Sequence, residues 1–122
     1  MGQAPPPSTL TLNMSEDAWQ GDAQFTVKVD GIQIGGVYTA TASHAAGQSQ
    51  AVVIRGIPES MSPHDIAISF INDAWGGTAS TDRNLYVNSM QFDRQSVAGG
   101  TAALFSNGVQ HFTALAPANW MG

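Results

Sequence analysis

The sequence predicts an all-β fold, an antiparallel β-sandwich of jelly-roll-like type, and three observations carry that prediction. Apolar and polar residues alternate at a period of two over several short segments. Turn signals recur at roughly ten-residue intervals, as between about eight strands of a sandwich or small barrel. No window long enough for a helix of three turns keeps a helical apolar period free of Gly or Pro.

Each segment can be justified in order. Leu10 and Leu12 mark the first strand, and Phe25, Val27 and Val29 the second. The second ends at Asp30-Gly31, a pair suited to a two-residue hairpin turn that needs positive φ. Val37, Thr39 and Thr41 suggest a third strand, and Val52 with Ile54 a fourth. "SPHDIAISF" opens like a helical turn, but Ile66, Ile68 and Phe70 alternate, so it reads as a strand. Leu85 and Val87 mark the next, and Asn107-Gly108 is expected to join "TAALFS" to "VQHFTAL" as a closing hairpin. There is no internal repeat.

A chain of 122 residues makes one domain. Residues 1–8, with "QAPPPS", read as a Pro-rich linker ahead of a domain over 9–122, which suggests a module of a larger multidomain protein. Four Lys+Arg against nine Asp+Glu leave a net charge of -5, which argues against nucleic acid and anionic membrane as partners. No apolar run approaches the ~20 residues of a membrane span. With no cysteine, a disulfide framework and a thiolate metal site are both excluded. Low charge with Thr-, Ser- and Asn-rich strands is associated with secreted bacterial proteins.

Two acidic stretches stand out. In "FINDAWGGTASTDRN" Asp73 follows a strand and Asp82 precedes the next, so one loop carries a carboxylate at each mouth. Asn72 is expected on the core side of the strand and Asp73 on the other. With loop carbonyls freed by Gly76 and Gly77, this is an oxygen-rich set of the kind Ca²⁺ takes, although not of EF-hand spacing. The plainer alternative is that Asp82 caps a turn and Asp73 is a solvated carboxylate. In "NMSEDAWQGDAQF", Glu16, Asp17 and Asp22 either stay solvated and apart or share a cation.

Trp19 and Trp75 sit in acidic, Gly-containing loops. Each either folds back onto the edge of the core or offers a flat platform to a sugar ring, and the second reading is stronger for Trp75, between the two aspartates. Trp120 reads as a packing or tail residue. His44, His64 and His111 have no paired spacing for zinc. His44 is expected to bind loop backbone and Arg83 to pair with a carboxylate. There is no G-x-S-x-G elbow, and no acid orients the His44 and Ser43 neighbours, so serine chemistry is not indicated. Hydrated acids in Gly-rich loops on so small a chain also argue against a glycosidase.

"SEDAWQGDAQFTVKVDGIQIGG", "TATASHAAGQSQ" and "FINDAWGGTASTDRNLYV", in that order, resemble the calcium-dependent xylan-binding modules of carbohydrate-binding module family 60, related to family 36. The closing "AALFSNGVQHFTAL" is similar to the strand pair that ends such modules. The resemblance implies a non-catalytic β-sandwich that binds xylan, or galactan or β-glucan-type chains, through a Ca²⁺ ion shared with two vicinal sugar hydroxyls. It implies Asp73 and Asp82 as carboxylate ligands, with the Trp75, Gly76, Gly77 and Thr78 stretch around the sugar. A second, structural calcium is implied for Glu16, Asp17 and Asp22. Some family members carry a disulfide near the site, which this chain cannot form. The rival expectations are a calcium-stabilised structural or adhesion domain and a small calcium-dependent lectin.

Overall fold

The structure, a computed structural model, describes residues 7–58 and 63–115; Trp120 lies outside the described residues. Within the described residues eleven strands form two antiparallel sheets. The first holds β10 (Ala102–Leu104), β8 (Asp82–Phe92), β1 (Ser8–Asp17) and β5 (Gln50–Ile57) in that order, with β7 (Ala74–Trp75) and β9 (Gln95–Ser96) also paired to β8. The second holds β11 (Gly108–Ala114), β6 (His64–Phe70), β2 (Gln24–Val29) and β3 (Ile32–Gln33), with β4 (Tyr38–Thr39) also paired to β2. The antiparallel β-sandwich anticipated from the sequence is present, and β1 starts at Ser8, inside the segment read as linker.

Alternation places the core. Leu10, Leu12, Met14, Leu85 and Val87 point inward from the first sheet, and Phe25, Val27, Ile66, Ile68 and Phe70 from the second, all essentially buried. Full burial of such side chains contributes about 1.5–3 kcal/mol each before the entropy of ordering them is subtracted. Asp30 and Gly31 both take positive φ, 53° and 83°, and turn β2 into β3 as the dipeptide demands.

Two expectations fail. β10 and β11 form no hairpin: β10 pairs with β8 in one sheet and β11 with β6 in the other. Leu104 and Phe112 both reach the core, and they do so from opposite sides, so residues 105–107 arch between the sheets instead of reversing within one. Neither Asn107 nor Gly108 has positive φ. The strand expected over Val37 to Thr41 shrinks to the two residues of β4, with Val37 exposed. Beyond it the Gln50 side-chain oxygen accepts the N–H groups of Thr41 and Ala42 at 2.5 and 2.8 Å, standing in for a neighbouring strand.

Antiparallel pairing sorts the loops into two ends. Asp17, Gln24 and Phe70 lie at one end, with β7 and the 79–81 turn; Ser8, Asp30, His64 and Ala114 lie at the other.

Candidate functional site

The acidic residues gather at the first end. An open cavity of about 470 Å³ is lined by Glu16 and Asp17 at the end of β1, by Ala18 and Asp22 of the loop that follows, by Thr41, Ser43 and Ala45, by Ala79 and Ser80 of the 79–81 turn, and by Asp82, the first residue of β8. Four carboxylates and three hydroxyls face it, with no Lys, Arg or His among the lining residues. The structure therefore brings Asp82 together with Glu16, Asp17 and Asp22. Asp73 does not line this cavity.

Asp73 has a different setting. Its N–H donates to Asn107 Oδ1 at 2.7 Å, while its own Oδ1 is buried without a hydrogen-bond partner. A side chain expected to emerge at the strand end is thus partly enclosed. Asn84 Oδ1 is the other buried side-chain oxygen without a partner among the described residues. Ala74 pairs with Arg83 and Asp17 with Asn84. Asp73 and Asn84 both lie at the sheet end that carries Asp17, whose Oδ2 accepts from Asn84 Nδ2. Buried acceptors with no protein donor are costly, and they are the kind of oxygen that a bound cation satisfies.

Glu16 is buried, and its Oε1 accepts the Ala23 N–H at 2.6 Å. Burial pushes its carboxyl up to about 7 in spite of that bond, and the neighbouring Asp22 adds to the rise. Asp17 Oδ2 accepts from Tyr86 Oη at 2.6 Å and Asn84 Nδ2 at 3.0 Å. Burial and then the bond to Asp17 push the Tyr86 hydroxyl up to about 12, so it stays a donor.

Arg83 braces this end, though not by pairing with a carboxylate as expected. Its guanidinium donates to the carbonyls of Trp19 (3.1 and 2.8 Å), Gln20 (2.8 Å) and Asn72 (2.6 Å). A planar fork of five N–H groups suits several carbonyls presented by two loops. Asn72 extends the tie, accepting the Gln24 N–H at 2.7 Å and donating to the Asp22 carbonyl at 2.9 Å.

The two tryptophans separate. Trp19 folds over the loop before β8, where a Cβ on Gly76 would lie 2.6 Å from its ring and 2.7 Å from Thr81. Trp75, opposite Asp82 in the register, is 60% exposed. Gly77 takes φ 101°, and Thr78 caps the 79–81 turn through Thr81. The His44 ring does not bind loop backbone as expected: Nδ1 lies 3.1 Å from Ser15 Oγ and the imidazole stacks on Tyr86, while the His44 N–H donates to the Glu16 carbonyl of β1.

Among the described residues no three His, Asp or Glu side chains gather closely enough to hold an ion by themselves. That disfavours zinc more than calcium, which takes six to eight oxygens and accepts amide, carbonyl, hydroxyl and water donors beside one or two carboxylates. The unpartnered Asp73 and Asn84 oxygens and the carboxylate and hydroxyl side chains of the cavity fit such an ion. Asn84 and Tyr86 were missed in the sequence. Their alternation with core residues Leu85 and Val87, which turns both outward, was the available signal.

A sandwich with an open, hydroxyl- and carboxylate-lined cavity at one end and an exposed tryptophan beside it is the build of a carbohydrate-binding module. Residues 9–107 match the family model of the Ca-dependent, xylan-binding carbohydrate-binding module CBM60. The chain belongs to that family. It is also similar in fold to the structure of vCBM60 in complex with galactobiose, with 19% identity, TM-score 0.58, and 85% of this chain and 96% of that one covered. A selenomethionine form of vCBM60, from work on circular permutation linking two families of calcium-dependent modules, gives 17% identity, TM-score 0.61, and 88% and 91% coverage. Among curated proteins the chain finds no match.

Proposed function

We propose that the protein is a non-catalytic, extracellular module that binds a β-linked polysaccharide, xylan in the first instance, in a calcium-dependent manner at the cavity lined by Glu16, Asp17, Asp22 and Asp82. The observation that carries this reading is the cavity itself, which concentrates four carboxylates with no basic side chain in its wall. Such a concentration of like charge calls for a cation. Calcium bound there would supply a Lewis-acidic centre that two vicinal hydroxyls of a sugar can join.

Access assigns the remaining donors. Asp17, Asp22 and Asp82 face the open cavity, where an ion can be shared with a polysaccharide. The buried oxygens of Asp73 and Asn84 are closed to a chain of sugars and suit a second, structural ion. Trp75, exposed opposite Asp82, presents an apolar face to the C–H groups of a sugar ring, while Gly76, Gly77 and Thr78 shape the loop that carries it. Glu16, whose carboxyl burial pushes up to about 7, is enclosed and bound to the Ala23 N–H instead of being open to a glycosidic oxygen, so the residues suit binding better than hydrolysis. A polysaccharide-binding module of this kind raises the local substrate concentration of any catalytic domain tethered to it.

Isothermal titration of xylan, and of galactan and β-glucan beside it, with calcium and then with excess EDTA tests the reading. Heat that appears only with calcium is expected. Undiminished binding in EDTA overturns it, and a melting temperature that rises with calcium while no glycan binds would leave a calcium-stabilised structural domain.

A further inference from the structure

Beside the acidic cavity lies a second one that the proposed calcium chemistry does not use. It has a volume of about 390 Å³, is wide open, and is lined by His44, Tyr86, Asn88, Thr101 and Ala103 among others. Its aromatic wall is ordered. The His44 ring lies flat on Tyr86, with centroids 3.7 Å apart and planes at 8°. Ser15 Oγ at Nδ1 and a backbone bond to Glu16 hold it there. Phe105 stands edge-on to the same tyrosine, at 6.1 Å and 83°, and is 59% exposed.

The fold does not account for Phe105. Leu104 fills the core and residues 105–107 only arch between the sheets, a task for which a polar residue would serve as well. An exposed aromatic ring set edge-on to a tyrosine that lines an open cavity, with the Asn88 amide and the Thr101 hydroxyl in the same lining, is the amphipathic surface that a pyranose matches: C–H faces on rings, hydroxyls on polar groups. The two cavities are also neighbours. Thr41, Ser43 and Ala45 line the first while His44, between them in sequence, lines the second, and the Tyr86 hydroxyl reaches through to Asp17. A chain of sugars leaving the acidic cavity over this short segment meets the aromatic corner next.

We propose that the His44, Tyr86 and Phe105 corner is a second sugar subsite, which takes a neighbouring pyranose of the same polysaccharide chain whose diol occupies the acidic cavity. This rests on the glycan-binding reading above and adds a requirement to it: affinity must grow with chain length.

The test compares β-1,4-xylobiose with xylotetraose, and the corresponding β-1,4-galacto-oligosaccharides, in calcium by isothermal titration. The wild type should bind the tetrasaccharide of its preferred sugar more tightly than the disaccharide. Phe105→Ala, which leaves the core untouched, should weaken tetrasaccharide binding roughly five- to tenfold, the scale of one aromatic contact, with disaccharide affinity and calcium-dependent melting unchanged. Ala103→Gln, which grows a side chain into the cavity, should do the same. Equal affinities for short and long chains, or a Phe105→Ala variant that binds the tetrasaccharide like the wild type, would overturn the subsite and leave the calcium site standing. Binding of no glycan by the wild type would overturn the glycan reading itself.

Discussion

The two ends of the sandwich each hold a carboxylate at a strand terminus, and they treat it in opposite ways. At one end Asp30 accepts the buried His64 Nδ1 at 2.6 Å and the Asp65 N–H at 2.9 Å, with Phe92 against the imidazole. Burial alone would raise its pKa, but the Asp65 N–H and then His64 outweigh that and hold it below the usual carboxylate range. At the other end Glu16 has one N–H, an acidic neighbour, and a carboxyl pushed up to about 7. Among the described residues the first end leaves no buried side-chain oxygen without a partner, and the second leaves two. The difference teaches that function here is legible as missing partners.

Four changes sharpen or break that contrast. The largest effect is expected from Asp82→Ala, which removes a carboxylate from the open cavity and should weaken polysaccharide binding at least about 100-fold, the upper range even for groups that merely orient a metal ligand. Asp30→Ala, measured in the same titration, should leave binding unchanged; a loss there would erase the distinction between the ends.

The second effect concerns pH in the calcium-free protein. Because Glu16 has a folded pKa raised above 4.5, the fold holds its proton more tightly than the unfolded chain, so stability falls as pH rises through about 4.5 to 7, by up to about 3 kcal/mol. Asp30 acts with the opposite sign: its depressed pKa adds stability above the unfolded value, lost as pH falls through the folded one. Thermal melts in EDTA should show Glu16→Gln flattening the decline toward neutral pH. An unchanged decline would mean that Glu16 is not its source.

Third, Asp30→Ala should itself cost about 1–3 kcal/mol by taking the carboxylate from buried His64, read as a fall in Tm independent of calcium. Smallest is Trp75→Ala. It should weaken polysaccharide binding by only about fivefold and shift stability by no more than about 0.5 kcal/mol, since the ring is exposed. A large fall in Tm would place Trp75 among the packing residues with Trp19.

Local pattern carried the sequence reading far. Alternation identified the inward residues of β1, β2, β6 and β8, and Asp30-Gly31 announced a turn whose geometry depends on two residues alone. What failed was non-local. Asn107-Gly108 marks a reversal of direction, but which sheet each flanking strand joins depends on where Leu104 and Phe112 find core to fill. Likewise nothing near Asp82 says that Glu16, Asp17 and Asp22 will face it, since that follows from the pairing of β1 with β8. Arg83 went to carbonyls because two loops present them around it, an arrangement that exists only once both loops are in place.

The arch between the sheets also fixes where the chain can be held. Because β11 runs away from the acidic cavity, Ala114 finishes beside His64, at the end where Ser8 begins β1. Ser8 and Ala114 therefore both lie at the pole opposite the open cavity. The described domain is built like a fingertip on its knuckle: a bead or a sensor surface joined at either of these two points would sit behind the cavity and not across it.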